Sequence, residues 1–543
     1  MPFPEYIPTV PEMIARVSAA HRDADAIVLG DERLSFADAE VRSANLARGL
    51  IASGVCKGSH VGLLMPNGPD WLVAFWAITR IGAVLVPLNT FSRAQELAWF
   101  LRHADLQTVL CVDGFLGHDY LDRLEAAVPG LAESHAWELH LPSVPHLRRV
   151  FVHGERSRPW SERLSGVVAL GAEHATIDRA FLAAVEATVG PADDAVILYS
   201  SGSTAEPKGA IHTHGTIVRH SFNVASARDA RSDDRIWSPM PFFWVGGFCF
   251  SLMGNLHVGA TTLCEHVFDP ETTLRFLERE RVTGVFGWPH FGTALEEHPT
   301  RRERDLSSLR TGNLPGLLPN TIVPSDAALR GNSLGMTETC GPHTWGGLLP
   351  LPEIHRGSFG PALEGVEHKI VDPETGARVS PGTSGEICIR GYSVMRGLYK
   401  VERETVFDEE GFYRSGDGGS IAEDGHLYFE GRLGDMIKTG GANVTPSEVE
   451  TMLRAYEGVE AAYVVGVPDA GRGEIVEAAV VPDAGATLDP RALRARLKGE
   501  LSAYKVPRHV FLFAAHEIPL KDSGKLDRRG LARLISTRAD PSE

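Results

Sequence analysis

The stretch that most constrains the fold lies near the N-terminus, where wholly apolar runs alternate with segments of helical spacing. "FADAEVRSANLARGLIASG" carries apolar residues at helical intervals, "HVGLLMP" reads as a buried strand, "PDWLVAFWAITRIG" as a helix and "AVLVPLN" as another strand. A strand that is apolar on both faces has to be covered on both, and strands separated by helices of this length pair in parallel. The pattern predicts an α/β fold built on parallel-type sheets. At 543 residues the chain exceeds what one core supports, so two or more domains are expected.

From about Ile354 the texture changes. "EHKIVDPETGARVSPGTSGEICIRG" and "HLYFEGRLGDMIKTGG" give short strands separated by Pro/Gly turns, which predicts a smaller β-rich subdomain. Beyond Gly431, "TPSEVETMLRAY" opens with a helix-start signature, "AAYVVGVPD" and "VEAAVVPD" read as strands, and "DPRALRARLKGEL" reads as a helix. A boundary at Arg432 to Gly434 then divides the chain. Residues 1–432 form a large N-terminal domain of parallel-type sheets with helices plus the β-rich subdomain, and residues 433–543 a small α+β domain.

Composition removes several classes of function. A formal net charge of −17 opposes general binding to nucleic acid or to an anionic membrane surface, both of which reward a basic face. The six cysteines are scattered, with neither C-x-x-C nor metal-ligand spacing, and a reducing cytoplasm is the simplest setting. The N-terminal stretch carries acids and prolines early and lacks the basic-then-apolar order of a signal peptide. No apolar run reaches the roughly 18 residues of a membrane span, so soluble substrates are expected.

The stretch "YSSGSTAEPKGAIHTHGT" (Tyr199 to Thr216) follows a buried-strand pattern, "AVILY", and crowds hydroxyls around Gly202 before Lys208. Backbone N–H groups, hydroxyl donors and one cation are what a polyphosphate needs. The order is not that of the Walker loop, because glycine follows Lys208 and the hydroxyls precede it. Four further stretches come in sequence: "SLGMTETCG" (Ser333 to Gly341), "YRSGDGG" (Tyr413 to Gly419), "GRLGDMIKTGGANVTPSEVE" (Gly431 to Glu450) and "PLKDSGKLDRRGL" (Pro519 to Leu531). At these residues the chain resembles the adenylate-forming superfamily, which includes acyl-CoA synthetases, peptide-synthetase adenylation domains and firefly-type luciferases. Five spaced motifs in order, spanning essentially the whole chain, carry the resemblance.

The resemblance implies an acid-thiol ligase that uses ATP, Mg²⁺ and CoA. A carboxylic acid and ATP give an acyl-adenylate and pyrophosphate, the small domain rotates, and a thiol then displaces AMP. By residue, Ser201, Gly202, Ser203, Thr204 and Lys208 would hold the phosphates. Glu338 would bind the Mg²⁺, which prefers a carboxylate with phosphate oxygens, and Thr337 would contact the α-phosphate. Asn332, Ser333 and Leu334 would line the nucleotide site, Asp417 would accept the ribose hydroxyls, and Arg432 would lie beside it. Lys525 would bridge the acid carboxylate and the α-phosphate as the catalytic cation. In the second pose Gly440 and Gly441 would line the CoA tunnel with Trp244, Lys438 would be a catalytic residue that faces the cleft in one pose only, as Thr204 and Glu338 are catalytic with Lys525, and Gly434 would serve as hinge.

Amino-acid-activating relatives carry a buried aspartate in the segment corresponding to "PMPFFWVGGF" (Pro239 to Phe248), and this chain has none. Phe242, Phe243, Trp244 and Phe248 read as an apolar wall with Gly246 and Gly247 making space, and Trp288, Phe291, Leu314 and Gly335 extend it. A bulky hydrophobic acid is expected, with no nucleic acid, no membrane span, and room for a homodimer.

Four residues depart from the superfamily's pattern. Ala205 replaces a phosphate-loop glycine, Leu334 an adenine-stacking aromatic with Ser333 before it in place of glycine, Trp244 a gating histidine, and Gly434 a hinge Asp or Lys. The first two fall on ATP. They leave open a ligase whose adenylation is impaired and which mainly converts a preformed acyl-adenylate. Loading of a carrier-protein phosphopantetheine is the other alternative.

Overall fold

The computed structural model describes residues 3–200, 207–433, 437–439, 442–469, 472–501, 503, 505–521 and 526–538. The chain separates into two compact units, Met1–His368 with Ile389–Tyr413, and Lys369–Cys388 with Arg414–Glu543.

The first unit contains the parallel sheets. One has eight strands in the order Gly397–Leu398, Lys208–Thr213, Asp194–Ser200, Val84–Pro87, His60–Leu64, Thr108–Val112, Arg149–His153 and Glu162–Arg163. From Asp194–Ser200 onward every pairing is parallel, while Lys208–Thr213 and Gly397–Leu398 join as an antiparallel edge. The second sheet runs Thr311–Gly312, Gly284–Val285, Arg235–Trp237, Thr261–Cys264, Asp25–Leu29 and Glu32–Ser35, parallel except for its last pair. The strands expected at "HVGLLMP" and "AVLVPLN" are His60–Leu64 and Val84–Pro87, and the flanking helices are Phe36–Ala52 and Pro69–Arg80.

Local chemistry fixes these helices. Ser35 caps Phe36–Ala52 by accepting from the Asp38 amide at 3.0 Å. In Pro69–Arg80 all residues but Asp70 are buried, so the helix runs through packed material rather than along a surface. Its last residue, Arg80, is held by Glu40 at 3.0 Å and Glu186 at 2.5 Å. Where Phe36–Ala52 crosses Leu164–Glu173, the backbones touch through two glycines. A Cβ on Gly49 would stand 2.0 Å from the Val167 carbonyl, and one on Gly171 1.9 Å from that of Asn45.

A layer of buried imidazoles lies behind the antiparallel edge. His212, His214, His220 and His257 are enclosed, and burial lowers His212, His214 and His257 to about 4 and His220 to about 3. His214 Nδ1 accepts from the Val10 amide at 3.2 Å, and His257 bonds the Ser221 hydroxyl at 2.8 Å.

The β-rich stretch forms a four-stranded sheet of Val366–Val371, Gly385–Gly391, Tyr413–Ile421 and Leu427–Arg432. The division between the compact units falls within its first two strands and at the start of the third. The second unit continues with Ala442–Val444, Ile437–Thr439, Gly473–Pro482 and Val459–Asp469 in one sheet, with Val510–Leu512 pairing Gly473–Pro482 in parallel. Helices Pro446–Arg454 and Pro490–Glu500 are the two expected from sequence, and Val449, Leu453, Val464, Val480 and Leu497 supply the core there.

Two outcomes follow. Gly49→Ala should lower stability by about 3 kcal/mol through backbone overpacking. Gly166→Ala, on the same partner helix with open space around its Cβ, should be neutral or mildly stabilising, so equal urea midpoints for the two variants would contradict the crossing. The buried histidines bind protons less readily folded than unfolded. Their contribution is therefore complete above the ordinary imidazole value of 6.5 and is lost as pH falls toward 4. The urea midpoint should drop between about pH 6.5 and 5, above the range where ordinary carboxylates titrate, and His257→Gln should make that drop shallower.

Candidate active site

Tyr199 and Ser200 end the central strand Asp194–Ser200 and pair with Gly209 and Lys208 on the returning strand. The hairpin thus clamps both ends of the hydroxyl-rich loop; its residues Ser201, Gly202, Ser203, Thr204 and Ala205 lie outside the described residues. Lys208 sits half-buried at the far side of that neck.

Glu338 lies on the short turn Thr337–Thr339 and is 8% exposed. Ser200 Oγ donates to its Oε1 at 3.2 Å, and its carbonyl accepts the Met395 amide at 2.8 Å. The Thr337 carbonyl accepts from His212 Nε2 at 2.8 Å, which fixes the proton of that neutral ring on Nε2. Thr339 Oγ donates to the Gly341 carbonyl at 2.7 Å, and Cys340 turns the chain with a φ of 58°. A carboxylate oxygen beside a hydroxyl at a rigid turn is a hard-oxygen donor set of the kind Mg²⁺ takes. The residues ahead of the turn form its ribbon. Leu334 is partly exposed and is held through its amide by Thr344 Oγ at 2.8 Å, the exposed Asn332 accepts from the Ser333 amide at 2.9 Å, and Gly335 pairs with Pro342. A Cβ on Gly335 would stand 2.7 Å from the Gly341 backbone, so the ribbon requires glycine at this exposed position.

The aromatic segment divides in two. Phe243 meets Trp244 edge-on at 5.3 Å, Trp244 meets Trp288 at 5.7 Å, and Trp288 stacks on Phe291 at 5.9 Å, with Trp288 41% exposed. These four make a continuous ladder. Phe248 is instead fully buried, its ring edge-on to Phe75 at 5.2 Å and to Trp71 at 6.1 Å; Phe242 packs on Trp71 at 5.2 Å, and Leu314 is equally enclosed. Phe242, Phe248 and Leu314 are core side chains and present no surface to a ligand. Gly247 makes no space either: a Cβ there would stand 2.1 Å from the Pro241 carbonyl, so the residue is glycine because the chain folds back on itself. Sequence reasoning missed Phe250, Phe286 and Trp345, which cluster at 5.3 and 6.3 Å around the partly exposed Phe250 ring. The one available signal was the second phenylalanine of "FCF". It was hidden because Gly246–Met253 is wound as a π-helix, which the usual helical period does not fit.

In the second unit, Asp417 and Arg432 are register partners on adjacent strands, and Arg432 Nε lies 2.8 Å from the Asp417 carboxylate. The carboxylate is 7% exposed and the guanidinium 51%. Ser415 Oγ accepts from the Asp417 amide at 3.0 Å and donates to the Ile387 carbonyl at 2.6 Å, while its own carbonyl accepts from Arg432 Nη1 at 3.1 Å. Lys438 is on the strand Ile437–Thr439, in register with Asn443. Gly434, Gly440, Gly441 and Lys525 lie outside the described residues. The loop that carries Lys525 is closed at its base by the Leu520–Leu526 bridge and by the Asp527 amide donating to the Pro519 carbonyl at 2.9 Å.

Comparison with known proteins gives the family. Residues 14–399 match the family model described as AMP-binding enzyme, and residues 448–525 match that of the AMP-binding enzyme C-terminal domain. A feruloyl-CoA synthase of Amycolatopsis is 34% identical over 516 residues, covering 93% of this chain and 94% of the relative. A methyl-dioxo-octahydroindenyl propanoyl:CoA ligase of Mycobacterium tuberculosis is 32% identical over 541 residues, covering 97% and 99%. Among solved structures, ATP-bound MatB from Rhodopseudomonas palustris superposes with a TM-score of 0.79 at 28% identity, covering 98% of this chain and 100% of that one. With its motifs, its sheets and both family models in agreement, the chain belongs to the AMP-binding enzymes of the adenylate-forming superfamily.

Proposed function

We propose that this AMP-forming acyl-CoA ligase activates a bulky hydrophobic carboxylic acid as its acyl-adenylate and passes the acyl group to CoA. The observation that carries the reading is the pairing of Ser200 with the buried Glu338 at the neck of the hydroxyl-rich loop. That contact joins two of the five sequence motifs in one rigid arrangement. The substrate class rests on the aromatic ladder Phe243–Trp244–Trp288–Phe291 and on the lack of a buried acid in its segment. Relatives point the same way by their names: one acts on a feruloyl group, one on an octahydroindenyl propanoyl group, and the ACSF2 enzyme of Danio rerio on medium-chain acids.

In this reading Ser201, Ser203, Thr204 and Lys208 hold the phosphates, and Thr337 orients the α-phosphate. Glu338 holds Mg²⁺, which when bound screens the phosphate charge. Asp417 trades the Arg432 guanidinium for ribose hydroxyls. Lys525 places its ammonium where negative charge develops on phosphorus, because positioning and charge stabilisation are most of what adenylyl transfer needs. Residues 433–543 then turn about Gly434, Lys438 exchanges with Lys525 at the cleft, and Trp244, Gly440 and Gly441 form the tunnel for the thiol.

A second reading is favoured by Ala205 and Leu334: adenylation is the slower half, and the enzyme works mainly on a preformed acyl-adenylate. A methyl group in a phosphate loop obstructs close backbone approach, and loss of adenine stacking costs about 1 to 3 kcal/mol by analogy with base–aromatic stacking.

Lys525→Ala should abolish turnover of acid, ATP and CoA, while thioester formation from synthetic acyl-adenylate and CoA persists. Loss of both would remove Lys525 from its adenylation role. Under the second reading Ala205→Gly should raise turnover from acid and ATP by about tenfold and leave turnover from acyl-adenylate unchanged. Equal rates from the two mixtures in the natural protein would eliminate a slow first half. A thioester product that forms only with a phosphopantetheinylated carrier protein, and not with CoA, would replace the acceptor.

A further inference from the structure

The segment Gly246–Met253 is a π-helix, whose hydrogen-bonded rings enclose one more residue than those of an α-helix. Such a turn is rare because its own bonding does not favour it, so outside contacts must hold it. Besides the ring contacts of Phe248 and Phe250, one such contact is a buried cation. Arg228, the residue that caps the C-terminus of the helix His214–Ala227, is 2% exposed. Its Nη1 donates to the Phe250 carbonyl at 2.5 Å, in the middle of the π-helix, and its Nη2 donates to Asn255 Oδ1 at 3.3 Å. Asn255 is itself tied to Thr262 Oγ at 3.1 Å, on a strand of the second parallel sheet.

The same guanidinium lies between two aromatic rings, 4.5 Å from the centroid of Phe250 and 4.4 Å from that of Phe286. Backbone and ring of Phe250 are thus held by a single group, at the one phenylalanine of the π-helix that keeps exposed surface. Gly254 admits the clamp, since a Cβ there would stand 3.3 Å from Nη1.

Among the described residues no carboxylate forms an ion pair with Arg228. Asp234, the acid whose charge opposes it, is held by Arg310 through Nε at 3.0 Å and Nη2 at 2.5 Å, and burial lowers the Arg228 guanidinium to about 10. An apolar side chain of the same length would fill this space without the desolvation cost of a charge. What it could not do is bond the displaced carbonyl and stack on both rings at once.

We propose that Arg228 is a positioning residue for acyl selectivity: by clamping the π-helix that directly follows the Phe243–Trp244 rungs of the aromatic ladder it holds the partly exposed Phe250 ring, and so decides which acyl shapes the ligase accepts. The inference rests on the acyl-CoA ligase reading and on Gly246–Met253 lining the acyl site.

The test uses the whole chain and two non-hydrolysable acyl sulfamoyl-adenosines, one feruloyl and one octanoyl, with AMP as control, each titrated by calorimetry. Arg228→Met should change the ratio of the two Kd values by about tenfold while the Kd for AMP moves less than about twofold. Arg228→Lys, which keeps a donor but not the stacking plane, should fall between. Phe250→Leu should shift the ratio in the same sense, and the Arg228→Met/Phe250→Leu double variant should go no further, because the two act as a unit. A lowered melting temperature in Arg228→Met with an unchanged ratio would reduce the residue to a structural role and overturn the inference. If Arg228→Met does not fold, Arg228→Lys decides: a ratio equal to that of the natural protein, with Phe250→Leu shifted, overturns it. Failure of the underlying reading looks different. Either Phe250→Leu leaves the ratio untouched, which removes the segment from the acyl wall, or neither analogue binds the natural protein more tightly than AMP.

Discussion

A neutral imidazole fastens the turn that carries Glu338 to the edge of the large sheet. His212 sits on the strand Lys208–Thr213, and its Nε2 proton goes to the Thr337 carbonyl. Burial keeps the ring uncharged at any pH near neutrality, so the bond does not change with ordinary acidity. Ser200 reaches Glu338 from the neighbouring strand, and the Met395 amide takes the Glu338 carbonyl. Three anchors from separate parts of the chain converge on a three-residue turn, and the antiparallel hairpin added to an otherwise parallel sheet makes this convergence possible. A parallel neighbour would run through a crossover helix and leave no tight neck at Ser200 and Lys208.

The architecture was largely legible in the sequence because apolar runs have one physical solution. "HVGLLMP" and "AVLVPLN" have no polar face, so they could only be interior strands, and the helix that precedes them carries a Ser35 cap that stands in the text of the chain. The stretches around Ser200 and Glu338, which the structure brings into contact, stood out for another reason: hydroxyls, a carboxylate and lysines in fixed order have few other uses. The aromatic segment was the least legible. A run such as "PFFWVGGFCFSLM" does not say which ring faces a cavity and which faces the core, because that depends on the winding of the helix. A π-turn places Phe250 where an α-helical reading does not look. Gly247 is the plainest instance, since a glycine in an aromatic run suggests a cavity, whereas here it lets the chain pass close to the Pro241 carbonyl. His212 and Arg228 act over contacts distant in sequence, and neither carries a local signature.

The pairing of Asp417 with Arg432 bears on how a nearly buried acid keeps its charge. The carboxylate is 7% exposed and lies 2.8 Å from the Nε of a guanidinium that is half exposed. A cation beside it lowers the cost of keeping a nearly buried acid ionised.

The π-helix has a consequence for how this enzyme can diverge. Because its rings hold one residue more than those of an α-helix, the segment stands one deletion away from ordinary winding, and the helix Gly254–Val258 that continues it need not move. Length, rather than side-chain identity, then becomes a coordinate of variation. Loss of a single residue between Gly246 and Met253 would rotate a new set of side chains toward the Phe286 and Trp345 rings in one step, where substitutions would have to replace them one by one.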